Sequence, residues 1–218
     1  MFDKLRIAIA MIPLGTYLVV IGLIRLKKSP TVISRPLDVL LIGMACCGLV
    51  AIGPLELFFP RAAFSVVGNW VWLVLLSLYA LLVLLIAFHV PPGIVIYGAS
   101  KETVRSIIET AYSERSINIE WLGDSFRSVA LNIHAQIEDA GWSSVCHIKS
   151  IGKTQNIAEW IDLDRSLHQR LAAVKPTGRE SGLTWCGIGL VIVAIAFGFL
   201  ASDLSRVNDT LAQLFNAR

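Results

Sequence analysis

The sequence predicts an α-helical membrane protein with four transmembrane helices and one inserted α+β domain, and three observations carry that prediction. The run Val71 to Phe88 holds only Ser77 and Tyr79 as polar side chains, enough helix for a hydrocarbon core about 30 Å thick at about 1.5 Å per residue. The 218 residues are 55% hydrophobic and 16% charged with mean hydropathy +0.67, too apolar for an ordinary soluble domain. Between residues 93 and 175 the pattern changes to short alternating strands and amphipathic helices.

The chain divides into residues 1–92 with three spans (about 7–24, 37–59 and 71–89), an α+β domain over 93–175, a linker and fourth span over 176–201, and an amphipathic tail over 202–218. In the first span Pro13 and Gly15 mark a bend. Lys4 and Arg6 precede it as in a signal peptide, but no small-x-small cleavage pattern follows. The second span begins with Asp38 and ends with Glu56. These carboxylates stand roughly 27 Å apart along a helix, each near one interface. An intramembrane carboxylate implies an ion or proton site, whereas Arg35 and Arg61 close by imply interfacial anchoring, the simpler reading.

Gly43, Ala45, Gly48 and Gly53 give the second span a small-residue face for close packing, and Pro54 loosens its outer end. Phe58, Phe59, Phe64, Trp70 and Trp72 form an interfacial belt around the next connector. The third span closes on His89 before Pro91-Pro92, which stop the helix. His89 reads as a helix C-terminal dipole partner. The fourth apolar run, 183–201, contains Ala194 and Gly198 at small-xxx-small spacing.

Basic residues near the span ends include Arg25, Lys27, Lys28, Arg35, Lys101, Arg105, Arg170, Lys175 and Arg179 on one side, against Lys4, Arg6, Arg61 and Arg206 on the other. The positive-inside tendency therefore places both termini outside and residues 93–175 in the cytoplasm of a bacterial-type inner (plasma) membrane.

Within the domain the expected order is strand, helix, strand, strand, strand, helix, a two-layer sandwich. Ile94–Tyr97 is a strand, and Ser100 caps a helix whose Val104, Ile107, Ile108, Ala111 and Tyr112 share a face. Strands at 117–121 and 126–137 flank a Gly123-Asp124 turn that pairs Trp121 with Phe126. A bulge at Arg127-Ser128 is needed to bring both rings to the core face. A two-residue turn at Ala140-Gly141 sets Ile133 opposite Ile148, Ala135 opposite Cys146 and His134 opposite His147. A second helix over 154–174 buries Ile157, Trp160, Ile161, Leu167 and Leu171. The other sheet face, with Asn132, His134, Gln136, Val145, His147 and Lys149, is left open or covered by a partner.

His134 and His147 are weak metal candidates, because no carboxylate or thiol joins them and Lys149 opposes a cation. Solvated or partner-docking use is the simpler reading. The sequence holds no Walker loop, GxGxxG, HExxH, GxSxG or kinase set. Cys46, Cys47, Cys146 and Cys186 have no CxxC spacing. Gly98-Ala99-Ser100 reads as an ordinary helix cap, and His168 as part of a solvated helix face. In the tail, Leu204, Val207, Leu211, Leu214 and Phe215 make an amphipathic helix for the outer leaflet or another protein.

No motif matches a known family. The function expected is a non-enzymatic assembly subunit or scaffold without cofactor. Its partners are the lipid bilayer and other membrane-protein subunits or further copies of the chain. The net charge of +3 gives nucleic acid no footing. The alternatives are an oligomeric transporter or channel using Glu56 and Asp38, and a membrane-anchored ligand or metal sensor.

Overall fold

The computed structural model describes residues 4–55, 64–66, 68, 70–139, 145–152 and 155–202. In chain order the elements are α1 (Lys4–Leu26), β1 (Thr31–Ser34), α2 (Arg35–Val50), a π-helical turn (Ala51–Leu55) and α3 (Trp70–His89). They continue with β2 (Gly93–Tyr97), α4 (Lys101–Glu114), β3 (Glu120–Leu122), β4 (Ser125–Ser128), β5 (Ile133–Asp139), β6 (Val145–Ser150), α5 (Ile157–Leu171) and α6 (Arg179–Ser202). Four helical stretches are long and apolar enough to cross a membrane: Arg6–Leu26, Arg35–Leu55, Trp70–His89 and Glu180–Ser202. All four expected spans are thus present as helices. The chain forms two compact units, one of residues 1–20, 40–86 and 185–218, the other of 21–39 and 87–184.

The first unit is helical, and glycines set its closest approaches. A Cβ on Gly48 would overlap the carbonyl of Ile9, and one on Gly43 would overlap Val83. At Gly189 a Cβ would stand 2.7 Å from the Val19 nitrogen and 2.8 Å from the Gly15 oxygen. Helix α1 therefore approaches both α2 and α6 at backbone distance, which small residues alone permit. The Tyr79 hydroxyl donates to the Gly43 carbonyl at 2.6 Å, satisfying a polar group inside an apolar span. Of the expected small-residue face, Gly53 meets nothing within 4 Å, and neither does Gly198 of the Ala194/Gly198 pair. The loosened end of the second span is the π-helical turn, with Pro54 inside it.

The second unit is built on a six-stranded sheet in the order β1-β2-β6-β5-β4-β3, with every neighbouring pair antiparallel. Three expectations change. An added edge strand comes from the connector between the first two spans, with Val32 opposite Ile96. The strand expected over 126–137 is two strands, because the chain reverses at 129–132 and β4 pairs back on β5. Asn132 takes φ +50° there and its N–H donates to the Val129 carbonyl at 3.3 Å, a left-handed turn that asparagine tolerates better than most residues. This reversal replaces the expected bulge. It places Phe126 opposite Ala135, where both are fully buried, and leaves the expected Trp121–Phe126 pairing in place at 5.2 Å between ring centroids.

The β5–β6 register also differs. Ile137 lies opposite Ile148, and Ala135 lies opposite Ser150; the expected Ala140-Gly141 turn lies outside the described residues. The slip is even, so each side chain keeps its face.

The core lies between one sheet face and α4 and α5. It joins Ile96, Ile148, Ile133, Ile137 and Phe126 to Val104, Ile108 and Tyr112 of α4 and to Trp160, Leu163, Leu167 and Leu171 of α5. Ser100 caps α4 as expected, accepting from the Thr103 N–H at 3.3 Å. Helix α5 is rotated from its expected setting. Leu163 replaces Ile157 and Ile161 on its inner face, and Glu159 is buried with its carboxylate held by Arg115 at 2.7 Å. Trp160, Leu163, Leu167 and Leu171 recur at three- and four-residue spacing and set the buried stripe, which leaves Ile157 and Ile161 at its margin.

Cys146 is fully buried in this core. Burial, with the Asp139 charge second, pushes its thiol up to about 12. Since the thiolate is the reactive form, Cys146 should resist maleimide in the folded chain at pH 7 and react once the chain is unfolded. Equal labelling rates in both states would contradict its position.

A buried polar cluster on the second sheet face as candidate functional site

Strand alternation sends Ile33, Val95, Tyr97, Val145 and His147 to the sheet face away from α4 and α5. At β1, β2 and β6 this face is covered: Ile33, Val95, Tyr97 and Val145 are all buried. The cover is the chain's own helix ends. Asp38 in the first turn of α2 is 9% exposed, and its Oδ1 accepts from the Tyr97 hydroxyl at 2.7 Å. Arg25 in the last turn of α1 is 7% exposed, stands 6.0 Å from the centre of the Tyr97 ring, and donates to Ser181 Oγ at 3.2 Å. Within the second unit, side chains from the ends of α1, α2 and α6 thus meet around one tyrosine.

A buried carboxylate costs several kcal/mol unless hydrogen bonds and opposite charge compensate it. The phenol supplies the hydrogen bond here, and the guanidinium beside the ring supplies positive charge. Asp38 therefore joins the first turn of α2 to the sheet through a buried hydrogen bond. Glu56, its expected counterpart, lies outside the described residues.

The structure separates the two histidines proposed as a metal pair. His134 lies opposite Arg127, whereas His147 lies between Val95 and Glu138. A carboxylate does stand beside His147, but Lys149 takes it in an ion pair. No group of three or more metal-ligating side chains occurs among the described residues. Among the remaining docking candidates Gln136 lies opposite Lys149, the His134 backbone N–H donates to Gln155 Oε1, and the Asn132 backbone carbonyl accepts from the Asn156 N–H, while the Asn132 side chain is exposed. Leu204, Val207, Leu211, Leu214 and Phe215 lie outside the described residues.

His147 is half-buried, and its pKa is lowered. Burial is the main cause; Asp38 and Glu138 oppose it, and Lys149 and Arg35 reinforce it. A histidine whose folded pKa falls below about 6.5 binds its proton less readily folded than unfolded, so stability drops as pH falls through about 6.5. The melting temperature of the full chain should decline from pH 7.5 to pH 5.5, and His147→Gln should flatten that decline. An unchanged slope in the variant would remove His147 as its source.

Outside the four apolar helices, the large exposed apolar side chains of this unit lie elsewhere. Leu122 is 80% exposed, Val129 71%, Ile157 67% and Ile161 55%. Backbone bonds from Asn132 to Val129 and from Asn156 to Asn132 tie the β4–β5 turn to the start of α5, so Val129 and Ile157 belong to one region. The sequence placed Val129, Ile157 and Ile161 in the core. The signal it did contain was Asn132, a turn-forming residue inside an otherwise regular alternation.

Comparison with protein-family models, curated proteins and solved structures finds no match to this chain.

Proposed function

We propose that the chain is a non-enzymatic, multi-pass subunit or scaffold of a membrane complex, and that its α+β unit carries the protein contact. The observation that carries this reading is the exposed apolar group Val129, Ile157 and Ile161 beside the β4–β5 turn. Such side chains cost solvation free energy when left in water, and a cluster of them marks an interaction surface. The positive-inside balance supports a bacterial-type inner membrane, with both termini outside and this unit in the cytoplasm. Alkaline phosphatase fused after Lys149 is then inactive, and strong activity would invert that orientation.

The test of the assembly reading is Val129→Asp with Ile157→Asp in the full chain. Both positions are exposed, so the melting temperature should hold while the partner co-purifying with the parent chain is lost. Retention of the partner by the double variant would sink this surface as the contact.

A further inference from the structure

Basic side chains gather where the apolar helices meet the sheet. Lys27 and Lys28 directly follow the Arg6–Leu26 stretch, Arg35 opens α2, and Lys175 precedes the Glu180–Ser202 stretch. Backbone packing brings these segments together. The Thr177 N–H donates to the Gly98 carbonyl at 2.9 Å, and a Cβ on Gly98 would stand 3.5 Å from Pro176 and 3.8 Å from Pro30. The chain just after Lys28 and the chain just after Lys175 therefore share one neighbour. Arg35 lies against Gly93, just past the end of α3, where a Cβ would stand 2.9 Å from its Cδ.

Lys27, Lys28 and Lys175 are exposed, and none of them has a carboxylate partner among the described residues. In the rest of the unit, Lys101, Arg105, Arg115, Lys149, Arg165 and Arg170 are each paired with one. Of the acids at these helix ends, Asp38 is buried and bonded to Tyr97, and Glu180 is exposed. Positive charge is thus in surplus here. One turn into α1 and α6, Leu23 is 54% exposed and Leu183 66%. The two helices meet there closely, since a Cβ on Gly182 would stand 3.1 Å from the Gly22 oxygen. Exposed cations therefore border exposed leucines at the end of one helix pair.

We propose that Lys27, Lys28 and Lys175 form a headgroup site for an anionic phospholipid, whose phosphodiester their ammonium groups hold while its acyl chains cover Leu23 and Leu183. This goes beyond the assembly reading and does not depend on it. The lysines stand just past the ends of apolar helices, the level at which a bilayer presents its headgroups. Basic residues placed there attract anionic lipid, and a phosphate gives each ammonium a charge-assisted acceptor. A free anion would use the cations and leave the leucines in water. An amphiphile with a negative head covers both.

The full chain, stripped of lipid in mild detergent, should melt at a higher temperature when phosphatidylglycerol is added. Phosphatidylcholine or inorganic phosphate at the same concentration should not move it, and about 0.5 M NaCl should shrink the phosphatidylglycerol shift. Glutamine at Lys27, Lys28 and Lys175 together should abolish the shift, since each ammonium lost weakens binding about fivefold. The lipid-free melting temperature should hold, because all three side chains are exposed. Arginine at the same three positions should keep the shift. The proposal is overturned by no shift in the parent chain, by an equal shift with phosphatidylcholine, or by an equal shift with inorganic phosphate. A shift that survives the glutamine variant, or one lost in the arginine variant, overturns it as well. Co-purification of a partner, which tests the assembly reading, is independent of all these outcomes.

Discussion

Tyr97→Phe should lower the stability of the folded chain by about 1.5–3 kcal/mol, the range for a hydrogen bond to a charged group. The substitution removes one oxygen and leaves the ring in place. Its cost therefore comes from Asp38, which stays buried at 9% exposure without the 2.7 Å bond that compensated it. Asp38→Asn retains an oxygen acceptor for the phenol and should cost less than Asp38→Ala, which removes that acceptor. Thermal melting of the full chain in one detergent measures all three. Equal melting temperatures for Tyr97→Phe and the parent chain would show that the joint between α2 and the sheet contributes nothing to stability.

Gly48→Ala should be at least as damaging. One methyl group would overlap the Ile9 carbonyl, a backbone atom that cannot rotate away. Overpacking costs about 1–3 kcal/mol where neighbouring side chains can yield, and here α1 itself must shift. Gly189→Ala meets the backbone of α1 in the same way, at Val19 and Gly15. Gly198→Ala is the matched control, since no atom lies within 4 Å of its Cβ, and it should fall within about 0.5 kcal/mol of the parent. If Gly48→Ala and Gly198→Ala melt together, the backbone approach of α1 to α2 is refuted.

The spans were legible because their signal is cumulative: each is a long apolar run, and no single residue decides it. The same holds for α4, where Val104, Ile108, Ala111 and Tyr112 are buried as their spacing requires. Shorter signals failed for identifiable reasons. Strand β1 is four residues between Pro30 and Pro36, too short for alternation to register, and it is held by pairing to β2 more than by its own pattern. The split between β4 and β5 turned on Asn132, one residue against a run of clean alternation. Helix α5 was misjudged because two apolar stripes overlap in its sequence, and the one through Trp160, Leu163, Leu167 and Leu171 is buried while Ile157 and Ile161 lie at its margin.

The candidate site was legible in part. Asp38 and His147 were singled out separately, one as a membrane carboxylate and one as half of a histidine pair. Their common face appears only when β1 and the helix ends close over β2 and β6. Tyr97 gave no signal beyond its place at the end of a strand, and Arg25 read as topology alone. The exposed apolar group was hidden for the opposite reason, because Val129, Ile157 and Ile161 fit core patterns that tertiary packing then overruled.

A chain that works as part of an assembly should leave its own membranes in mild detergent as a complex, and native mass spectrometry of the full chain should then give a mass above that of the 23.9 kDa chain by a whole partner or a further copy. A single species at the monomer mass, with the α+β unit folded, would contradict it.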